Sequence, residues 1–292
     1  MKLALFGKSI RKENYPYLLQ LIDKLEAYKC ELLVYKPFLE ILRENDDFNY
    51  QAEPFSSHEE LKGNADMLFS IGGDGTLLDS VRLVRDSGIP VLGINLGRLG
   101  FLSSISRDDI IPAVEMVMKG EYSIDYRTLL QLDSDSGLFG DFSCALNDLT
   151  VTRKDSTALI VIHVYVDGIF LNSYWADGLI VATPTGSTAY SLSSGGPIVA
   201  PGSQNFVITP LAPHNLTIRP IVISDKSEVS IRVDGRDEEY MASLDSKTDV
   251  IKPGEELRIR RADFSFELVK FENKDFYTTI RDKLKWGLDV RN

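Results

Sequence analysis

The stretch MLFSIGGDGTLLDSVRLV, residues 67–84, decides the fold. Its first five residues, Met67–Ile71, make an apolar run broken only by Ser70, the pattern of a strand covered on both faces. Gly72-Gly73-Asp74-Gly75-Thr76 ends that run, and a helical spacing follows with Leu77, Val81 and Val84 on one side and Gly88 as its stop. The same alternation continues outward in both directions. Leu3–Phe6 reads as a strand. A helix capped by Asn14 follows, with Leu18, Ile22 and Leu25 on one face, and Glu31–Tyr35 is extended again. Downstream, Ile89–Asn95 is a buried strand. Asp108–Lys119 is a helix with Ser106 and Asp109 spaced like a capping box and Gly120 at its end. A strand–helix–strand order of this kind predicts an α/β domain with a parallel sheet over residues 1–121.

From Tyr122 the helical spacing disappears and period-two alternation takes over. Ala158, Ile160, Ile162, Val164 and Val166 fall on one face of a strand. Glu228–Val233 and Glu256–Arg261 alternate likewise, and Phe264, Phe266 and Leu268 line a further face. Asp167-Gly168 and Asp234-Gly235 lie between such runs and read as hairpin turns. Residues 122–275 are therefore expected to form a mostly-β domain. Residues 276–292, beginning with the helical Phe276–Trp286, are expected to pack back on the first domain. No linker rich in Pro, Gly or Ser separates the halves, so one rigid unit with a cleft is expected.

Composition narrows the function. The 292 residues are 43% hydrophobic and 26% charged, a balance that excludes wholesale disorder. With 32 Lys+Arg against 43 Asp+Glu the formal net charge is −11, which repels nucleic-acid backbones and anionic membrane surfaces. A small anionic ligand remains compatible where a pocket supplies local cations or backbone N–H groups. Cys30 and Cys144 match no metal spacing and read as thiols in a reducing compartment. The opening MKLALFGKSIRKE lacks the apolar length of a signal peptide, and no run approaches the ~18 residues of a membrane span. The expected location is the cytoplasm.

A glycine turn between a buried strand and a helix exposes N–H groups at the positive end of the helix dipole, where a phosphate can sit. The turn is no P-loop, since G-x-x-x-x-G-K-[ST] is absent, and Leu78 stands where a dinucleotide fingerprint needs its third glycine. Asp74 leaves two readings open. It stabilises the turn or caps the helix through Thr76, or it serves as a base or Mg²⁺ contact beside phosphates. The second conspicuous stretch is DGLIVATPTGSTAYSLSSGGP, Asp177–Pro197, a buried strand running into a turn dense in hydroxyls and glycines. Such a turn suits phosphate, ribose and adenine edges, with Tyr190 as a flat partner for a base. Composition alone also fits a polar surface loop, and Asp177-Gly178 also fits a hairpin turn. His58, His163 and His214 form no metal motif, and G-x-S-x-G is absent. Arg98 and Arg153 are candidate cations for an anionic substrate, and Arg258–Arg261 reads as a solvated strand face.

Taken together, Gly72–Thr76, Asn95–Leu102, Asn147-Asp148, Asp177–Pro197 and Arg260–Phe264 resemble the NAD kinase family in order and spacing along nearly the whole chain. The glycine turn recurs in diacylglycerol, sphingosine and phosphofructokinase families; the Asp177–Pro197 run does not. The resemblance implies a Rossmann-like N-terminal domain with a β-rich C-terminal domain. It also implies transfer of the γ-phosphoryl of ATP to the 2′-hydroxyl of the adenosine ribose of NAD, a divalent metal (Mg²⁺ carried with ATP), and a homodimer or homotetramer. It further implies that Asp74 takes the 2′-hydroxyl proton, with Gly73, Gly75 and Thr76 beside it in the nucleotide-binding turn. Phe101 is similar to the aromatic near the adenine. Asn147 and Asp148 stand at the pair that holds the ribose of the nicotinamide half, and Asp177 at a contact to the nicotinamide end. Thr185, Thr188, Ala189, Tyr190, Ser191, Leu192 and Ser193 belong to the loop around the adenosine and its phosphates. No residue is assigned as a metal ligand. Three positions depart from the family: Asp148 where Glu is usual, Trp175 where many members carry a base, and Lys247 where several have Gln. The rival readings are a lipid kinase sharing the glycine turn and a non-catalytic NAD-binding sensor.

Overall fold

The computed structural model describes residues 1–97, 100–103, 105–154, 159–272 and 275–286. By internal packing the chain divides into two units, Met1–Tyr126 together with the chain from Phe266 onward, and Arg127–Ser265.

The first unit opens with β1 (Lys2–Gly7), α1 (Tyr15–Ala27), β2 (Glu31–Tyr35), α2 (Lys36–Arg43), β3 (Glu53–Phe55) and α3 (His58–Leu61). It continues with β4 (Met67–Ile71), α4 (Asp74–Val84), β5 (Val91–Asn95), β6 (Ile105–Ser106), α5 (Ile110–Lys119) and the start of β7 (Ser123–Ser134). Strands β3, β2, β1, β4 and β5 lie side by side in that order, all parallel. Every residue of β4 and β5 is buried, as continuous apolar runs require when helices cover both faces of a sheet. Side chains of α1, α2 and α5 share one core with β1, β2, β4 and β5. Chain order reverses between β1 and β4, so this is the topological switch point, where α/β sheets bind ligands beyond the carboxyl ends of their strands. Gly7 pairs with Ile71, so Lys8 and Gly72 leave the sheet side by side there.

The second unit contains β8 (Cys144–Ala145), β9 (Asp148–Arg153), β10 (Ile160–Val166), β11 (Ile169–Ala176), β12 (Gly178–Ala182), α6 (Tyr190–Ser193) and β13 (Asn205–Leu211). Next come β14 (Ile221–Ser224), β15 (Val229–Asp234), β16 (Tyr240–Leu244), β17 (Lys247–Ile251) and most of β18 (Glu256–Lys270), after which α7 (Phe276–Leu284) belongs to the first unit. Strands β11-β10-β15-β18 form one antiparallel layer and β14-β13-β12-β9-β16-β17 another. Their alternating apolar side chains, among them Ile162, Val164, Ile231, Val151, Val181 and Phe206, share one core. On the other face of the second layer Ile180, Ala182, Val207 and Leu211 are covered by Val199. The α/β-plus-β reading of the sequence is thus the observed architecture. Among the described residues no helix is long and apolar enough to cross a membrane.

Local corrections have physical causes. Asn14 stands at the N-cap of α1 but makes no capping bond, because the preceding 3-10 turn holds it at φ −98°, ψ −10° instead of the extended geometry capping needs. Ser106 does donate to Asp109, at 2.9 Å, yet Arg107–Asp109 is a 3-10 turn and the α-helix starts at Ile110. Helix α4 ends at Val84 with Arg85 in a positive-φ conformation, and Gly88 lies in the loop beyond. Asp167-Gly168 is a hairpin turn, both residues having positive φ as a type I′ turn demands. Asp234-Gly235 is not, since β15 and β16 belong to different layers. Glu256–Arg261 and Phe264–Leu268 are one continuous strand. Ala158 lies outside the described residues.

Candidate active site

The glycine turn follows directly from β4. Gly73 is the N-cap of α4 without a side-chain cap, and its carbonyl accepts the N–H groups of Thr76 at 3.0 Å and Leu77 at 3.2 Å. Gly73 and Gly75 are exposed, so the backbone at the start of α4 faces solvent at the positive end of the helix dipole. Asp74, the first residue of α4, is half-buried. Its Oδ2 accepts the N–H of Phe101 at 2.7 Å, and its Oδ1 accepts those of Leu102 at 3.2 Å and Ser103 at 3.0 Å. A carboxylate has about four lone-pair sites, so one on Oδ2 remains for a further donor. The turn role considered for Asp74 is therefore real, but its partners lie in the segment after β5 and not at Thr76. The close approach explains two glycines. A Cβ on Gly100 would lie 1.9 Å from Asp74 Oδ1, and one on Gly93 would lie 2.7 Å from the Leu77 side chain and 2.9 Å from Ser103 Cα. Phe101 is half-buried and contributes its N–H to Asp74. Lys8 forms an ion pair with Asp79 of α4. Arg98 lies outside the described residues.

In the second unit Asn147 and Asp148 lead into β9. A residue absent from the sequence reading governs them. The Asp245 carboxylate accepts the N–H groups of Leu146 at 2.8 Å, Asn147 at 2.8 Å and Asp148 at 3.2 Å. Asp148 is buried, its Oδ1 accepting the Thr150 hydroxyl at 3.1 Å. Burial, and then the neighbouring Asp245 charge, push its carboxyl up to about 7, against the opposing pull of the Thr150 hydroxyl. From the other side, Thr183 N–H donates to the Asn147 carbonyl at 2.8 Å, and a Cβ on Gly186 would come within 2.1 Å of that oxygen. Only glycine lets the turn sit so close.

The hydroxyl-rich turn is largely self-satisfied. Thr185 is buried and accepts from Arg127 at 3.2 Å. Ser187 donates to the Pro184 carbonyl and Thr188 to that of Thr185. Ser191 is fully buried with its hydroxyl on Thr209 at 2.9 Å, and Ser193 donates to the Tyr190 carbonyl. Ala189 and Leu192 are half-buried, and the Tyr190 ring is 49% exposed. Of the loop residues singled out, Tyr190 and Ser193 face solvent and Thr188, Ala189 and Leu192 do so in part, whereas the side chains of Thr185 and Ser191 hold the loop together. Asp177 joins strands of different layers and so is no hairpin turn; its carboxylate meets Arg153 at 3.3 Å. Trp175 is exposed, and Lys247 packs over the Phe142 ring. Arg261 departs from a solvated strand face, pairing at 3.0 Å with the buried Asp225. His163 bridges Ser173 and Asp234 across three strands.

Comparison with known proteins places this geometry. Residues 3–122 match the model of the ATP-NAD kinase N-terminal domain and residues 146–271 that of the ATP-NAD kinase C-terminal domain. The chain belongs to the NAD kinase family. It is 43% identical over 293 residues to the NAD kinase of Cytophaga hutchinsonii and 44% identical over 294 residues to that of Flavobacterium psychrophilum, in each case across the whole of both chains. Among solved structures, yeast NADH kinase complexed with NADH superposes with a TM-score of 0.88 at 25% identity, over 100% of this chain and 89% of that one. The family are phosphotransferases acting on NAD, so the glycine turn belongs to an enzyme.

Two outcomes follow from the site geometry. Gly100→Ala forces the Asp74 carboxylate off its backbone donors and destabilises the protein by about 1–3 kcal/mol, read as a lower urea midpoint at unchanged slope. A variant as stable as the parent would contradict that packing. The raised Asp148 carboxyl binds a proton more tightly in the folded than in the unfolded chain. Its stabilising contribution is full below pH ~4, falls as pH rises through about 7, and is at most about 4 kcal/mol. Thermal melts from pH 5 to 8 should show this loss in the unliganded parent and a flatter profile in Asp148→Asn.

Proposed function

We propose that the protein transfers the γ-phosphoryl of ATP to the 2′-hydroxyl of the adenosine ribose of NAD, giving NADP and ADP. The observation that carries this reading is the full-length family match combined with Asp74, a carboxylate set in the glycine turn at the switch point with one lone pair of Oδ2 unused. Asp74 Oδ2 takes the proton as the ribose oxygen forms its bond to the γ-phosphorus and the bond to the ADP oxygen breaks. General-base assistance of this kind contributes ~10²–10⁴ in rate. The backbone N–H groups around Gly73 and Gly75 meet phosphate oxygens at the helix N-terminus.

The remaining assignments serve orientation. Asn147 and Asp148 hold the vicinal hydroxyls of the nicotinamide-side ribose, an acceptor pair suited to two O–H donors. Asp177, steadied by Arg153, contacts the nicotinamide end. Phe101 and Tyr190 offer flat faces to adenine, and the backbone of Thr188–Ser193 lines the adenosine. In support, the yeast relative was solved with NADH, and the family description itself names ATP. Mg²⁺ fits as a cation that arrives on the triphosphate. Among the described residues no three His, Cys, Asp or Glu converge, and Mg²⁺ is commonly held by substrate phosphates, water and one or two carboxylates. When bound it neutralises charge on the β- and γ-phosphoryl oxygens. The same reading has the enzyme working in the cytoplasm as a homodimer or homotetramer, as the family resemblance implies.

Asp74→Asn should lower kcat by ~10²–10⁴ at saturating NAD and ATP while NAD binding and folding persist. Near-normal turnover would remove Asp74 from the chemistry. Asp148→Ala should raise KM for NAD and leave that for ATP nearly unchanged, and in the parent KM for NAD should fall as pH rises through about 7, where Asp148 ionises. Parallel assays offering NAD and diacylglycerol with ATP and Mg²⁺ test the reaction itself. Product from diacylglycerol alone, or NAD binding without product, would overturn it.

A further inference from the structure

Asp245 lies in the two-residue connection between β16 and β17, whose flanking residues Leu244 and Lys247 pair with each other. It has φ +51°, a left-handed conformation that Asp tolerates better than most side chains. From that position it meets the 146–148 segment four times. Its carboxylate accepts three successive N–H groups, and its own N–H donates to the Asp148 carbonyl at 3.1 Å. Consecutive amides converging on one anion form a nest, and bonds to an ionised acceptor are the strong kind. The segment so held carries the two side chains assigned above to the ribose.

We propose that Asp245 is a positioning residue for NAD. It fixes the backbone of Leu146-Asn147-Asp148 so that the Asn147 and Asp148 side chains meet the ribose hydroxyls in one orientation. This rests on the assignment of Asn147 and Asp148 to that ribose. Asp245 touches no reacting atom. Its second effect is electrostatic, because its charge makes Asp148 hold a proton longer. The groups acting on Asp148 are Thr150 on its own strand and Asp245 from the β16–β17 connection. On the far side Asp148 pairs with Ala182 of β12, which is uncharged.

The test is Asp245→Asn in the full-length enzyme, which keeps the shape and removes the charge and one acceptor. KM for NAD should rise ~10-fold or more, with KM for ATP within about twofold. The pH at which KM for NAD turns should move downward, since Asp148 loses its negative neighbour. A purely structural role would move neither the split between substrates nor that inflection. Unchanged KM for NAD, equal rises in both KM values, or a fixed inflection would each overturn the proposal. If the Asn variant does not fold, amide hydrogen exchange in the parent decides. The Leu146, Asn147 and Asp148 amides should be protected with and without NAD, and free exchange at these sites would sink the idea. Turnover of NAD by the parent in the same assay reports separately on the proposed reaction.

Discussion

A carboxylate drawn partly out of water needs hydrogen-bond donors, and in each unit of this protein three successive backbone N–H groups meet one. Asp74 gathers residues 101–103 and Asp245 gathers residues 146–148. Loop amides have no ladder partner and need an acceptor just as the carboxylate needs donors, so each arrangement satisfies both sides at once. The consequence is a loop fixed by hydrogen bonds where apolar packing alone would leave it loose. Precise chemistry on loops needs this kind of support, because tenths of an ångström in a side chain's placement matter to binding and to rate.

The glycines near both sites follow from the same constraint. Gly100 lets the 101–103 segment approach Asp74, and Gly186 lets the hydroxyl-rich turn press on the Asn147 carbonyl. Gly196 likewise leaves room for the Ser191 hydroxyl, which a Cβ would meet at 2.2 Å. These glycines are not in left-handed conformations. They are small because another group occupies the space, and so they differ from Gly120, whose φ of +73° ends α5.

The architecture was legible because it depends on local pattern. Met67–Ile71 and Glu31–Tyr35 are strands with the bounds their apolar runs suggest, and the period-two alternation of Ile160–Val166 is likewise a strand. Element ends were less legible. Asn14 and Gly88 carry cap signals that the adjoining turns override, and Asp234-Gly235 carries a turn signal overridden because its strands belong to different layers. Among site residues, motif reading picked out Asp74 and Asn147-Asp148 but not Asp245, since a lone Asp in a turn has no distinctive spacing. Only the pairing of β16 with β9 brings it beneath Asp148. Equally, sequence composition could not separate Thr185 and Ser191, whose hydroxyls face inward, from Ser193, whose residue faces out.

Two carboxylates at one place, Asp148 and Asp245, resolve their repulsion by dividing roles. Asp245 has three amide donors and carries the charge; Asp148 has one hydroxyl donor and burial, and it retains the proton to near neutrality. The pair therefore avoids two adjacent anions up to near neutrality. On the proposed ribose assignment, two O–H donors would supply what Thr150 alone does not and would favour the ionised form of Asp148. The protonation of Asp148 is thus set first by its burial and then by the charge of Asp245 in the neighbouring turn.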